Sequence, residues 1–135
     1  MIKPMPLAAI AVAQECTKAS DEARIPFPEV VRRLVDAGIE RYRADLLRDE
    51  KTYYMPDGAS HVVSTAPFAL SPTETFRADG IVAAIRASQA GQIAYTEFCK
   101  RIADAGCVDY IVSFPGRRAV YFGRTGESLI ERLPT

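Results

Sequence analysis

The stretch IPFPEVVRRLVDAGIERYRADLLRDEKTYYMPDGAS, residues 25–60, occurs a second time in altered form as IAYTEFCKRIADAGCVDYIVSFPGRRAVYFGRTGES, residues 93–128. A shift of 68 positions aligns the two stretches without a gap. Unrelated stretches would share roughly one residue in 15–20 aligned pairs. The shared residues here are Ile25 and Ile93, Glu29 and Glu97, Arg33 and Arg101, Asp36-Ala37-Gly38 and Asp104-Ala105-Gly106, Tyr42 and Tyr110, Tyr53 and Tyr121, Gly58 and Gly126, and Ser60 and Ser128. The sequence therefore predicts a two-copy internal repeat.

Each copy begins with a predicted helix, residues 27–37 in the first and 95–105 in the second. In the first copy Pro28 suits the first turn of a helix, where its missing N–H costs nothing, and Glu29 favours the positive helix N-terminus. Gly38 is a typical helix end because glycine readily adopts the left-handed conformation. The buried stripe of this helix is expected to consist of Val30, Val31, Leu34 and Val35, which recur at helical spacing.

The remainder of each copy predicts strands, because apolar and polar residues alternate. The first copy supplies strands at residues 39–47, 51–55 and 60–66, and the second at residues 107–114, 118–123 and 127–133. In the turn at residues 114–117, Gly116 is expected to supply the positive φ of a type II turn. The expected core side chains are Tyr42, Ala44, Leu46, Thr52 and Tyr54 in the first copy, and Tyr110, Val112, Phe114, Val120 and Phe122 in the second. The opposite, open face is expected to carry Arg41, Arg43, Asp45, Lys51 and Tyr53, and Asp109, Ile111, Ser113, Ala119 and Tyr121.

These elements predict an α+β fold, in which helices cover one face of an antiparallel sheet and the two copies are related by a pseudo-twofold axis. Two further helices are expected outside the repeat, at residues 6–20 and 78–90. The spacing of Ser71-Pro72-Thr73-Glu74 is that of a capping box and suggests that a helix begins there as well. The length of the chain predicts a single domain over residues 1–135.

The composition is that of an ordinary soluble protein, with 48% hydrophobic and 25% charged residues. Seventeen basic residues balance seventeen acidic ones, so no net field attracts nucleic acid or an anionic membrane, and neither is expected as a partner. No segment is long and apolar enough to span a membrane. Three cysteines without CxxC spacing favour free thiols in a reducing, cytoplasmic compartment. Residues 1–13 read either as the start of the first helix or as a weak signal-like segment.

Catalytic signatures are missing from the sequence. His61 is the only histidine, and a metal site usually needs several ligands, so no metal and no cofactor are expected. Nothing matches a nucleophile elbow, a zinc-binding HExxH or a phosphate-binding loop. The sequence therefore favours a non-enzymatic protein. The alternative is a small-molecule-binding protein or enzyme with a cleft near His61, lined by Asp45, Lys51 and Tyr53.

The expected open face mixes tyrosine with arginine, residue types that are enriched in protein interfaces. Tyr53 and Tyr121 recur there at equivalent positions. We therefore expect a protein partner, either a second copy in a dimer or another protein, whereas solvated cross-strand pairs are the alternative. The candidate binding residues are Arg41, Arg43, Asp45, Lys51, Tyr53, His61 and Tyr121.

Five short segments of the predicted strands and turns form a recognisable set. They are Glu40-Arg41-Tyr42, Lys51-Thr52-Tyr53-Tyr54, residues 106–110, Gly116-Arg117-Arg118 and Val120-Tyr121. This set resembles the YdfO/YbcV-like family of small bacterial and prophage-encoded proteins of unknown function, some of which carry the label "phage envelope protein". The resemblance covers about residues 25–133 and consists of strand patterns. It implies an α+β fold and a bacterial or prophage origin, and it carries over no catalytic residues.

Overall fold

A computed structural model describes residues 3–133 of the chain, which form four helices and six strands. The first half contains α1 (Leu7–Asp21), α2 (Phe27–Asp36), β1 (Arg41–Asp45), β2 (Glu50–Tyr54) and β3 (Ser60–Ser64). The second half contains α3 (Ala78–Gln89), α4 (Tyr95–Asp104), β4 (Cys107–Ser113), β5 (Arg118–Gly123) and β6 (Ser128–Arg132).

The six strands form one antiparallel sheet in the order β3-β2-β1-β4-β5-β6. The two hairpins meet at the central β1–β4 pair, where Arg43 lies opposite Ile111. Helices α1 and α4 pack against the strands, with α2 beside α1 and α3 beside α4. One face of the sheet is therefore covered by helices, as the α+β prediction requires.

The helices begin and end close to the predicted residues because their sequence signals are local. Helix α2 has proline in its first turn and Glu29 near its positive end. Gly38 follows with a φ of 86°, the left-handed conformation that glycine adopts at low cost. Val30 and Leu34 are buried as predicted, whereas Val35, which was expected in the same buried stripe, is 48% exposed.

Corresponding elements of the two halves begin at the same spacing as the sequence repeat. Helices α2 and α4, strands β2 and β5, and strands β3 and β6 each begin 68 residues apart. Strand β4 is longer than β1 and contains an irregularity between Cys107 and Asp109. The pseudo-twofold relationship between the halves stays a prediction.

The segment between β3 and α3 corrects the capping-box prediction, because α3 begins at Ala78 and not at Ser71. The segment binds the C-terminal end of α4 instead. The Thr73 N–H donates to the Ala103 carbonyl, and the Arg77 N–H donates to the Ala105 carbonyl. Its side chains add bonds from Thr73 Oγ1 and Arg77 to the Asp104 carbonyl. The last carbonyls of a helix lack partners within the helix, so this segment satisfies them.

The turn at residues 114–117 also differs from the prediction. Its left-handed residue is Arg117, with a φ of 53°, and not Gly116. Asp49 has the same φ of 53° at the equivalent place in the β1–β2 turn. The β1–β2 and β4–β5 hairpins therefore each close through a left-handed non-glycine residue at the last turn position, a geometry that the Pro-Gly pair did not indicate.

The predicted faces of β2 and β5 are wrong. Ala44 lies directly opposite Lys51, and Tyr42 lies opposite Tyr53, so Lys51 and Tyr53 share the covered face with Tyr42 and Ala44. Thr52 and Tyr54 consequently point to the open face. A register that differs by one residue moves every side chain of a strand to the other face. The same correction applies to the second copy, where Ala119 and Tyr121 are buried and Val120 and Phe122 are only partly buried.

Candidate functional site

The structure separates the predicted binding residues into three places. Arg41, Arg43 and Asp45 lie on the open face, as predicted. Lys51, Tyr53 and Tyr121 are buried on the covered face, at 3%, 1% and 4% exposure, so they cannot line the open face. His61 is partly buried on edge strand β3, opposite Tyr53.

The open face is organised into three rows that cross the six strands, each row made of side chains that lie directly opposite one another. The basic row contains three arginines, the middle row is mostly apolar, and the acidic row contains three carboxylates. From β3 to β6 the basic row is Ser60, Tyr54, Arg41, Ser113, Arg118 and Arg132, the middle row is Val62, Thr52, Arg43, Ile111, Val120 and Ile130, and the acidic row is Ser64, Glu50, Asp45, Asp109, Phe122 and Ser128.

The middle row leaves apolar side chains on the surface. Val62 is 50% exposed and Ile130 is 56% exposed, one on each edge strand. Ile111 and Val120 are partly buried between them. Thr52 and Arg43 separate Val62 from the other three. Single exposed apolar residues are common on protein surfaces, but three on adjacent strands of an uncovered sheet are the pattern of a contact surface.

Three interactions hold the arginines of this face in place. The Arg43 guanidinium forms an ion pair with the carboxylate of Asp109 on the neighbouring strand. The Arg41 guanidinium carbon lies 3.8 Å from the centre of the Tyr54 ring, a cation–π contact. Arg43 is thereby neutralised locally. The Arg41 guanidinium also forms an ion pair with Glu40, with 3.6 Å between Nε and Oε2, so both arginines have a carboxylate partner within the chain.

On the covered face, Lys51 reaches into the aromatic core. Its ammonium nitrogen lies 4.2 Å from the centre of the Tyr95 ring and 5.5 Å from that of Tyr42. Within residues 3–133 Lys51 forms no ion pair. Burial therefore lowers the pKa of Lys51, because the charged form loses its hydration, and nearby Cys99 and Asp21 oppose this shift only in part.

The tyrosine hydroxyls around Lys51 find partners inside the core. The hydroxyls of Tyr95 and Tyr110 are 2.6 Å apart, and those of Tyr53 and Thr17 are 2.8 Å apart. Burial raises the pKa of Tyr95, Tyr110 and Tyr53, chiefly through lost hydration of the phenolate. These hydroxyls are therefore structural hydrogen-bonding groups, with no tendency to ionise near neutral pH.

The three cysteines are free thiols, as predicted, and all three are buried. Burial raises the pKa of the Cys99 thiol to about 11 and that of Cys107 to about 12, and it also raises the pKa of Cys16. A nucleophilic cysteine needs the opposite shift, since the thiolate is the reactive form. These thiols consequently lack the environment of catalytic cysteines.

Two surface hollows lie beside α1. One, of about 410 Å³, lies between α1 and α2, and the other, of about 420 Å³, lies between α1 and residues 64–66. His61 lines neither of them. The alternative of a small-molecule cleft near His61 therefore receives no support from these hollows and stays a prediction.

No helix within residues 3–133 is long and apolar enough to cross a membrane. Within the same part of the chain, no group of three or more histidine, cysteine, aspartate or glutamate side chains is placed to hold a metal ion.

Sequence reasoning missed two features of the molecule. The buried position of Lys51 contradicts the general preference of lysine for the surface, so residue type pointed the wrong way. The three rows depend on the order and register of six strands. The alternation of polar and apolar residues along one strand indicates neither. The available signal was the predicted burial of the equivalent residues Ala44 and Val112. Residues that lie opposite them on the neighbouring strands must share their face, but the sequence does not show which residues those are.

Comparison with known proteins places the chain in a family without assigning an activity. No curated protein matches it. Residues 27–132, which include every element except α1, match the family described as "Protein of unknown function (DUF1398)". This match covers most of the chain, and the chain therefore belongs to the DUF1398 family of proteins of unknown function.

Proposed function

We propose that the chain is a protein-interaction module that binds its partner through the open face of the sheet. The observation that carries this proposal is the middle row between the charged rows. Ile111, Val120 and Ile130 lie side by side on adjacent strands of this row. Val62 lies at its other end, beyond Thr52 and Arg43. A protein interface typically has an apolar centre and a polar rim. Arginine and tyrosine, represented by Arg41 and Tyr54, are also the residue types that contribute most to such contacts.

Two attributions of the chain accompany this proposal. The first is membership in the YdfO/YbcV-like group, with a bacterial or prophage origin, which is supported by the strand segments quoted above. The second is a cytoplasmic location, which is supported by three buried cysteines without a disulfide bond.

Site-directed photo-crosslinking in cells that express the chain tests the proposed surface. A photoreactive phenylalanine analogue is placed at Ile130, in the middle row, or at Val35, on helix α2. The two sites are matched, because Ile130 is 56% exposed and Val35 is 48% exposed. We expect discrete crosslinked protein species from position 130 and not from position 35, because only the former lies on the contact surface.

Equal crosslinking from both positions, or none from position 130, would remove the open face as the contact surface. The mass of the crosslinked species, read by denaturing electrophoresis and peptide mass spectrometry, identifies the partner. A band at twice the chain mass indicates a second copy, and other masses indicate a different protein.

A further inference from the structure

We infer that the occupant of the open face is a second copy of this chain, turned so that the basic row of one copy lies over the acidic row of the other. The inference rests on the proposed function, since it names the partner of the same surface. Its basis is that the two charged rows lie on opposite sides of one apolar row, so the face carries its own electrostatic complement.

The two charged rows of the face carry opposite signs, and Arg43 lies between them in the middle row, paired with Asp109. Arg41, Arg118 and Arg132 belong to the basic row, whereas Glu50, Asp45 and Asp109 belong to the acidic row. A partner with a uniformly acidic or basic surface would meet like charge in one of these rows. The inverted second copy presents the opposite charge to both rows. The chain as a whole has no net charge, so two copies do not repel each other at long range.

One twofold axis brings this arrangement about, namely an axis parallel to the rows. Rotation about it keeps each strand above its own counterpart and reverses the strand direction. Arg41 then faces Asp45 of the second copy, Arg118 faces Phe122, and Ile111 faces Ile111. Arg43 faces its own counterpart, and the ion pair of each Arg43 with Asp109 of the same copy offsets the charge of this contact. Such an interface is isologous, with the same patch used on both copies, which is the usual form of a dimer.

A twofold axis parallel to the strands gives a different result. It would leave each charged row over itself and would place Asp45 opposite Asp109 of the second copy. Like charges at an interface cost free energy and exclude wrong arrangements. Electrostatics therefore selects the first arrangement, in which both sheets pack face to face with aligned strands.

The size of the face sets the expected strength of the dimer. Six strands spaced about 4.8 Å apart, with five residues at about 3.4 Å each, give a face of roughly 500 Å². Two copies would bury about 1,000 Å², which is near the lower limit for a specific interface. We therefore expect a dimer that dissociates in the micromolar range and weakens as salt screens the charged rows.

A charge-swap experiment on the purified full chain tests the arrangement. Arg41→Glu places two like-charge contacts in each homodimer, and Asp45→Arg does the same with the opposite sign. In a mixture of the two variants, every contact between positions 41 and 45 pairs opposite charges. By sedimentation velocity we expect each variant alone to dimerise at least tenfold more weakly than the wild type. The equimolar mixture should recover most of the wild-type affinity.

The fold of each variant needs a separate check, because the Asp45 carboxylate also accepts bonds from the N–H groups of Leu47 and Arg48. Circular dichroism and urea unfolding provide that check. Recovery of dimerisation in the mixture would itself show that the Asp45→Arg variant is folded, because an unfolded chain could not restore a dimer. If Asp45→Arg alone strengthens the dimer, the axis is parallel to the strands and the inference is overturned.

A cysteine variant provides a second, independent measurement. Ile111→Cys places a thiol on the open face opposite its own counterpart, whereas the three native cysteines are buried. Mild oxidation should then link two copies at least tenfold faster than it links the Val35→Cys control, whose thiol lies on α2. Equal rates for the two variants would contradict the inferred axis.

These results separate the inference from the proposed function. If the wild-type chain stays monomeric throughout the micromolar range while position 130 crosslinks to other proteins, the second copy is wrong and the interaction surface stands. If position 130 also gives no crosslink, both proposals fall.

Discussion

The ammonium nitrogen of Lys51 lies 4.2 Å from the centre of the Tyr95 ring, inside a core where only 3% of Lys51 is exposed. A buried charge without a carboxylate partner lowers the stability of the folded state, although contact with an aromatic ring offsets part of that cost. Two consequences of this placement, one for neutral pH and one for alkaline pH, are measurable.

We expect Lys51→Met to raise the free energy of unfolding at neutral pH by about 1–3 kcal/mol, because methionine fills similar space without a charge. Urea unfolding of the wild type and the variant measures the difference. Lys100→Met is the control, since Lys100 is exposed on α4 and its replacement should change stability by less than about 0.5 kcal/mol. A less stable Lys51→Met variant would mean that the aromatic contact outweighs the cost of burial.

The pH dependence of the same difference has a defined sign. The pKa of Lys51 is lowered in the folded state, so below that pKa both states are protonated and the full cost of burial is present. Between the folded-state pKa and the unfolded value of about 10.4, only the unfolded state binds the proton, so wild-type stability rises with pH. The advantage of Lys51→Met should therefore shrink as the pH rises through this window. A constant advantage from neutral pH to pH 10 would show that Lys51 keeps its proton in the folded state over this range, and that its pKa is not lowered.

Tyr53 and Tyr54 are neighbours on β2 and differ in the face they occupy. Tyr53 is 1% exposed and its hydroxyl bonds to Thr17, whereas Tyr54 is partly exposed and stacks on Arg41. We expect Tyr53→Ser to lower the free energy of unfolding by about 3–5 kcal/mol, as the loss of a large core side chain does. Tyr54→Ser should cost only about 1 kcal/mol. Equal costs, measured by urea unfolding, would contradict the register of β1 and β2.

Gly106 and Gly38 end equivalent helices with φ values of 94° and 86°, yet their surroundings differ. A Cβ atom at Gly106 would lie 2.4 Å from the Thr75 carbonyl oxygen and 2.8 Å from the Phe76 Cα atom. At Gly38 the nearest atom would be the flexible Met55 Cε, at 3.4 Å. Gly38→Ala should cost about 1–2 kcal/mol through its left-handed backbone. Gly106→Ala should cost a further 1–3 kcal/mol or so through overpacking.

Thermal and urea unfolding of the two glycine variants measure this difference. Since both substitutions add the same methyl group in the same backbone conformation, the local strain cancels in the comparison. Indistinguishable stabilities would mean that the Thr75–Phe76 backbone moves away from Gly106 at no cost.

The cysteines should be unreactive in the folded protein. The pKa of Cys99 is raised to about 11 and that of Cys107 to about 12, so thiolate is scarce at pH 8. We expect a disulfide reagent at pH 8 to modify all three thiols only at the rate of local or global opening, and to modify them at once in denaturant. Val35→Cys supplies the exposed reference thiol. A fast phase of one thiol per chain in the wild type would show that a native cysteine is accessible.

The sequence predicted the helices and strands closely, because caps, glycine stops and alternation are local signals. The start of α4 at Tyr95 and the burial of Tyr42, Ala44, Tyr110 and Val112 follow from such signals. The faces of β2 and β5 could not be deduced in the same way. Alternation fixes which residues of one strand share a face, whereas the left-handed residues Asp49 and Arg117 determine how the next strand pairs.

The candidate surface could be predicted only in part for a related reason. Arg41, Arg43 and Asp45 are on β1, whose face was clear from its own alternation. The rows to which they belong join residues from six strands, and β1 pairs with β4 across more than 60 residues of chain. Alternation within a strand does not contain that long-range pairing.

The central β1–β4 pair also has a consequence for the order in which the chain folds. Each hairpin joins strands that are close in sequence, whereas Arg43 and Asp109 at the centre of the sheet are 66 residues apart. Closing a long loop costs entropy before its contacts form, so local hairpins are expected to form early and distant pairs late. Refolding with pulsed deuterium labelling should therefore protect the amides between β2 and β3 before those between β1 and β4. The middle of the finished sheet would then be the last part to assemble.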